Sequence, residues 1–199
     1  MIYYIADAHF GHENILSLCR RPFRSVEDMN EAMIDNWNAR VTGGDRVYIL
    51  GDLFYRCADP EGILRRLKGC KYLIVGNHDS SWMGQVNLER YFADVRDMAV
   101  INDGHRVLTL CHYPLLTWKR QKKTWMIYGH LHANTDDDFF PLIAKRERML
   151  NAGADINGLA PVTFEELVAN NADLRQRFLL TGAGNHNSAA SHATGMGSL

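Results

Sequence analysis

The chain has 199 residues, 46% of them hydrophobic and 23% charged, which is enough for one domain with its own core and too apolar for a disordered polymer. Its formal net charge of −1 excludes the global basic field with which a protein gathers nucleic acid or acidic membrane over its whole surface. Met1 leads directly into Ile2-Tyr3-Tyr4-Ile5 with no basic leader, and no apolar stretch approaches the ~20 residues of a spanning helix, so neither secretion nor a membrane partner is expected.

In chain order, residues 2–6 are a short run of strand formers stopping at Asp7. Ser25-Val26-Glu27-Asp28 has the form of a capping box, and Met29, Met33, Ile34, Trp37 and Val41 follow at helical spacing until Gly43-Gly44. Residues 46–50 read as a buried strand ending at Gly51-Asp52, and Asp59-Pro60 supplies an N-cap and first-turn proline for a helix carrying Ile63, Leu64 and Leu67. A third strand over 72–75 ends at Gly76-Asn77-His78-Asp79, with a short helix over 86–91 after it. Asp103-Gly104, between apolar stretches 98–101 and 107–110, predicts a hairpin whose second strand delivers Cys111-His112. Residues 124–128 deliver Gly129-His130-Leu131-His132, residues 149–152 read as a last strand, and Thr163 caps a helix through Phe164, Leu167 and Val168.

From Gly182 large apolar residues almost vanish, which predicts a single domain over 1–181 and a disordered tail over 182–199, with His186 and His192 as exposed tail residues. Strands alternating with helices, plus one hairpin, imply a mixed-sheet α/β or α+β sandwich. Cys19, Cys57, Cys70 and Cys111 are far apart and form no C-x-x-C pair. They read as reduced thiols of a cytoplasmic protein, Cys111 facing the core, rather than as a zinc site.

One pattern runs through these strands. Asp7-Ala8-His9, Gly51-Asp52, Gly76-Asn77-His78-Asp79, Cys111-His112 and Gly129-His130-Leu131-His132 each directly follow a predicted strand. Residues leaving the same ends of neighbouring strands converge in space, and imidazoles, carboxylates and a carboxamide brought together suit transition metals. Side chains at i and i+2 point the same way, so Asp7 and His9 can grip one ion; His130 and His132 can do the same or serve two adjacent ions. The H-x-H pair lacks the H-x-D-H continuation of a metallo-β-lactamase, and there is no H-E-x-x-H of a zinc protease.

The set resembles the calcineurin-like metallophosphoesterase family, whose signature is D-x-H, G-D, G-N-H-D/E, H and G-H-x-H in that order. The resemblance spans Asp7 to His132, and Asp7-Ala-His-Phe-Gly-His-Glu-Asn-Ile with Leu150-Asn151-Ala152-Gly153 is similar to the small single-domain bacterial and phage members. It implies an α+β sandwich of two mixed β-sheets packed face to face and flanked by helices. It also implies two divalent metal ions, manganese foremost, with iron, zinc, cobalt or nickel compatible. By position, Asp7, His9 and His132 would hold one ion, Asn77, His112 and His130 the other, and Asp52 would bridge them. The implied activity is phosphoester hydrolysis by a hydroxide bridging the ions. A phosphodiester, nucleotide or nucleic acid is the favoured substrate class, a phosphomonoester the alternative, and a non-catalytic protein-binding scaffold of the same fold the competing class.

The resemblance makes His78 the candidate proton donor to the leaving group. Many family members place an aspartate that orients this histidine where the present chain has Tyr55, which leaves Asp79 as the nearest substitute. Arg56 matches the position of a phosphate-binding arginine; an ordinary loop ion pair is the bland reading. His12, just past the first ligands, either contacts substrate or packs the loop. The basic run Lys119-Arg120-Gln121-Lys122-Lys123, flanked by Trp118 and Trp125, is either a solvated loop or a substrate-facing rim, and Tyr113-Pro114 reads as a turn.

Overall fold

A computed structural model describes the backbone of residues 1–185 and the side chains of residues 1–180. Strands β1 (Ile2–Ile5), β2 (Arg46–Leu50), β3 (Cys70–Ile74) and β4 (Phe92–Arg96) form one four-stranded sheet in that order. Strands β5 (Met98–Asp103), β6 (Arg106–Cys111), β7 (Trp125–Tyr128) and β8 (Met149–Asn151) form a second. The helices are α1 (Ile15–Leu18), α2 (Val26–Arg40), α3 (Pro60–Arg66), α4 (Ser80–Met83), α5 (Leu88–Tyr91), α6 (Phe140–Ala144) and α7 (Phe164–Asn185).

The expected two-sheet sandwich is present, but only the second sheet is mixed. The first is parallel throughout, because helical crossovers return the chain to the same end of the sheet before each new strand. In the second, β5–β6 is antiparallel and β6–β7 and β7–β8 are parallel.

The period-2 alternation of the strands sorts the core into three layers. Tyr3, Ile5, Val47, Ile49 and Leu73 face α2 and α3, meeting Met29, Met33, Trp37 and Leu64. Tyr4, Tyr48, Leu50, Leu108, Leu110, Ile127 and Leu150 fill the space between the sheets. Met126, Tyr128 and Met149 face outward against Phe140, Ile143 and Leu174. Cys111 is buried in that last layer, as its place in the strand led one to expect.

Cap chemistry sets helix ends. Ser25 Oγ accepts from Asp28 N (3.1 Å) at the start of α2, and the Asp59 side chain accepts from Gly62 N (2.7 Å) at α3. Before α7, Thr163 N donates to Glu166 Oε2 (2.8 Å) while Glu166 N donates to Thr163 Oγ1 (3.4 Å), the reciprocal capping box.

Three elements were not evident from the sequence. β4 alternates weakly, because Asp94 and Arg96 interrupt the apolar run of an edge strand, and α4 and α6 are too short to show a period. The hairpin turn falls at Gly104-His105, one residue later than predicted. Asp103 pairs with Arg106 as the last strand position, and its carboxylate accepts the Tyr4 hydroxyl at 2.9 Å. The expected tail began at Gly182, whereas α7 extends to Asn185; the remainder of that tail, with His186 and His192, lies outside the described residues.

All the parallel strands end at one pole, where the sheets join. Ala6 N donates to Ala152 O (2.8 Å) and Ala154 N to Ala6 O (2.9 Å), linking the end of β1 to the end of β8. Among the described residues no helix is long and apolar enough to cross a membrane.

Candidate metal centre

At this pole the loops leaving β1 and β2 run side by side. Asp7 N donates to Gly51 O (3.0 Å), His9 N to Asp52 O (3.0 Å) and Phe10 N to Leu53 O (2.9 Å). Five of the seven predicted metal residues adopt left-handed backbone: Asp7 (φ 54°), His9 (52°), Asp52 (53°), His130 (71°) and His132 (51°). Non-glycine residues rarely adopt this conformation, which costs on the order of 1–3 kcal/mol each and persists where the surroundings impose it. Here it turns each side chain inward directly after its strand.

Asp7, His9 and His132 offer ligand atoms all within 4.8 Å of one another, and so do Asp7, Asp52 and His112. Asp52 Oδ2 lies 3.5 Å from His112 Nε2 and 3.8 Å from His9 Nε2, between the two groups. Asn77 Oδ1 is 2.9 Å from His112 Nε2 and 3.0 Å from His130 Nδ1. The structure therefore brings all seven predicted ligands together. Asp7, His9, Asp52 and His112 form a buried floor, and Asn77, His130 and His132 an accessible rim.

The donor set suits cations. Both ring nitrogens of His9 are buried without a hydrogen-bond partner among the described residues, an arrangement that costs about 1–3 kcal/mol per group unless something else binds there. Burial, reinforced by His132 and Arg21, lowers the His9 pKa to about 2 and keeps the ring neutral. His112 Nδ1 donates to the Leu50 carbonyl at 2.8 Å, so Nε2 is the ring nitrogen turned toward the Asn77 oxygen. An imidazole nitrogen and a carboxamide oxygen converging in this way suit a transition-metal cation. Burial raises Asp7 to about 6, although His132 and His112 oppose the shift.

Around the ligands lies a support that sequence reasoning missed. Arg21, buried beneath β1, donates to the carbonyls of Asp7 (2.8 Å) and Ala8 (2.7 Å) and pairs with Asp155 at 2.8 Å. Asp155 Oδ2 is 2.7 Å from His132 Nδ1. Burial opposes charge on both members of this pair, but their mutual hydrogen bond outweighs it together with Cys19 and Asp7 beside His132 and Arg21 beside Asp155. His132 is raised to about 10 and Asp155, helped by Arg21, is lowered to about 2. Asn151 Nδ2 donates to the His132 carbonyl (2.8 Å), fixing the turn after β7. No spacing rule identifies Arg21 or Asp155, since each meets its partners across more than a hundred residues or through an irregular loop.

The predicted catalytic residues divide. The His78 side chain is 39% exposed, with Nε2 3.9 Å from Asp52 Oδ2 at the mouth of the cluster. Asp79 does not orient it. Its buried carboxylate accepts from Asp52 N (2.9 Å), Gly76 N (2.8 Å), Leu53 N (3.0 Å) and Trp82 Nε1 (2.8 Å), which leaves its lone pairs occupied. Asp79 is therefore a positioning residue tying the loop after β2 to the loop after β3. Tyr55 packs against His78 (ring centroids 4.7 Å apart) and His12 (4.4 Å) instead. Arg56 forms no ion pair among the described residues and lies over the Tyr55 ring at 5.3 Å. His12 sits 5.3 Å from the His9 ring, its Nδ1 buried and unpartnered. Tyr113, read from the sequence as a turn residue, sets its ring edge against His112 (5.0 Å) and His130 (4.8 Å) at the rim.

A groove of about 710 Å³ opens beside His130 and His132, bordered by Leu18, Arg20, Asn134 and Phe139. The basic run 119–123 does not reach it. β6 and β7 are parallel, so the connection between them must travel from the metal pole to the opposite one before β7 begins. The rim reading of that run is thus corrected.

A buried acid–imidazole cluster at the converging ends of two packed sheets is the architecture of a metal-binding phosphoesterase. The calcineurin-like phosphoesterase profile matches residues 1–152, and the chain belongs to that family. It is 33% identical over 170 residues to an uncharacterized protein of Methanocaldococcus jannaschii, covering 84% of this chain and 89% of that protein. The Gene 66 protein of Mycobacterium phage L5 is 24% identical over 188 residues, covering 78% and 87% respectively. A crystal structure of a protein of unknown function from Aquifex aeolicus superposes with a TM-score of 0.65 at 26% identity, covering 84% of this chain and 97% of that one.

Proposed function

We propose that this protein is a metal-dependent phosphodiesterase that holds two divalent ions, manganese foremost, and acts on a nucleotide-type diester. The observation that carries this reading is the buried, neutral, unpartnered His9 facing Asp7, Asp52 and His132. Asp7, His9 and His132 would hold one ion, Asn77, His112 and His130 the other, with Asp52 between them. Such ions would supply Lewis acidity toward a phosphoryl group and a nucleophile at neutral pH.

The remaining tasks belong to the chain itself. His78, at the mouth and half exposed, holds the proton for the leaving alkoxide, and packing against Tyr55 limits its orientation. Arg56, held over Tyr55 with no carboxylate partner among the described residues, offers its charge to a phosphoryl oxygen. His12 stands close enough to His9 to contact the same substrate. The groove beyond His130 and His132 gives the second ester substituent a place, which supports a diester over a monoester. Four free cysteines are consistent with a reducing, cytoplasmic setting.

The test is hydrolysis of bis(p-nitrophenyl) phosphate against p-nitrophenyl phosphate by chelator-treated protein reloaded with Mn²⁺. Faster turnover of the diester, lost in Asp52→Asn, is expected. Faster monoester turnover would replace the diester reading. An absence of both metal uptake and turnover across Mn²⁺, Zn²⁺, Co²⁺ and Ni²⁺ would leave a protein-binding scaffold instead.

A further inference from the structure

The pole of the second sheet opposite the metal centre concentrates positive charge. Residues 119–123 directly precede β7 and residues 145–148 directly precede β8, and β7 and β8 are parallel neighbours. The two segments therefore meet. Trp118, Gln121, Lys122, Lys145 and Arg148 line one hollow of about 300 Å³, and an adjoining hollow of about 500 Å³ adds Arg120 and Lys123. Seven cations and a single acid, Glu147, fall within these nine residues of a chain whose net charge is −1.

Two of the seven have work within the fold. Arg146 donates to the Leu116 carbonyl (2.8 Å), and Arg148 covers the Trp125 ring at 4.9 Å. Lys119, Arg120, Lys122, Lys123 and Lys145 make no side-chain ion pair among the described residues. The loop carrying most of them is nonetheless ordered. Arg120 holds φ 57°, and its carbonyl accepts from Lys123 N (2.7 Å) and Thr124 N (3.1 Å). Trp118 Nε1 donates to Thr124 Oγ1 (3.1 Å), which donates to the Lys119 carbonyl (2.7 Å). At its centre Gln121 Oε1 is buried and has no donor among the described residues.

We propose that this pole is an exosite for single-stranded nucleic acid. Free cations spaced along two loops fit successive phosphates. The half-buried indole of Trp118 offers an apolar surface to a base, and an N–H on that base supplies the donor that Gln121 Oε1 lacks. A nucleotide strand combines all three features, whereas a plain polyanion lacks the last two.

The test is fluorescence anisotropy with a labelled single strand of about 20 nucleotides at low salt, in EDTA so that metal chemistry plays no part. Wild-type protein is expected to bind with steep salt dependence. The Lys119→Glu/Lys122→Glu/Lys123→Glu variant should bind at least tenfold more weakly and with a log–log salt slope smaller by roughly 2, yet hydrolyse a small aryl phosphodiester at the wild-type rate. Gln121→Ala should weaken binding of the strand but not of inorganic polyphosphate. The corresponding triple Lys→Gln variant supplies the same reading if the charge reversal perturbs folding. An absence of binding, or undiminished binding by the triple variants, overturns the exosite. Loss of binding in Asp52→Asn moves it to the metal centre. Indifference of both ligands to Gln121→Ala reduces it to a polyanion patch and overturns the nucleic-acid assignment.

Discussion

His132 is held from two sides. Its Nδ1 meets Asp155, leaving Nε2 as the nitrogen available to a metal. In metal-free protein His132 is raised to about 10 and Asp155 lowered to about 2; these shifts are one ion pair seen from its two ends. The carboxylate's contribution to stability is present above its ordinary value of 3.8 and lost as pH falls toward 2. The imidazolium's contribution is present below 6.5 and lost as pH rises toward 10. In chelator-treated protein, the stability difference between wild type and Asp155→Asn should therefore be greatest between about pH 4 and 6.5 and shrink on either side. Alkaline loss is only partial, because Arg21 stays charged and paired with Asp155. Denaturant titrations across pH check this, and a pH-independent difference would refute it. Calorimetric Mn²⁺ titration of Asp155→Asn should show affinity lowered roughly 10- to 100-fold, with loading of the wild type at pH 8 releasing a proton from His132. His12, whose Nδ1 has no partner, is different. His12→Ala should retain its metal yet lose at least about tenfold in turnover, as one general acid–base or substrate contact is worth; unchanged turnover would assign His12 to loop packing.

Individual elements matter for where they stop. β1, β2 and β3 are aligned in register over their full lengths, so their following loops emerge together. Asp79 then binds two of those loops to each other through three backbone amides and an indole. Removing that acceptor leaves several buried donors unpaired at about 1–3 kcal/mol apiece, not fully additive. Asp79→Ala should accordingly cost about 3 kcal/mol or more, read as a lowered denaturant midpoint, and weaken metal uptake as the Asp52 and Asn77 loops separate. A direct catalytic role would predict the reverse: normal stability with turnover alone abolished. Gly51 shows the same crowding at the end of β2. Its φ is 84°, and a Cβ there would stand 2.7 Å from Gly76 Cα and against the His112 ring, so no larger residue fits between the two sheets.

Over the whole molecule, the candidate metal centre sits where the sheets meet, and its candidate ligands come from five loops spread across residues 7–132. An ion bound there links both sheets and binds only the folded chain. At a free metal concentration of about 100 times the dissociation constant, one such site adds about 2.7 kcal/mol. Mn²⁺ should thus raise the unfolding temperature of chelator-treated wild type, in a concentration-dependent way, and leave Asp52→Asn nearly unmoved. Equal shifts in both proteins would show that the stabilising ion binds elsewhere. Charge is also divided between poles: cations with no ion-pair partner among the described residues lie at the end of the second sheet away from the candidate metal centre.

What the sequence by itself determined was local or periodic. Strand ends, helix caps at Ser25, Asp59 and Thr163, and the Asp, Asn and His residues placed directly after strands are all written in short-range spacing. The convergence of these residues was legible because parallel strands carry their C-terminal loops to one pole. Tertiary structure alone decided the rest. Asp79, adjacent to His78 in sequence, turned to backbone amides because a buried carboxylate is held by the nearest unpaired donors, not by a neighbouring imidazole. The Arg21–Asp155–His132 chain joins residues from three distant segments, so no window of sequence contains it. The basic run, close in sequence to His112 and His130, stands at the far pole, because a parallel connection must cross the length of the sheet before its next strand can start.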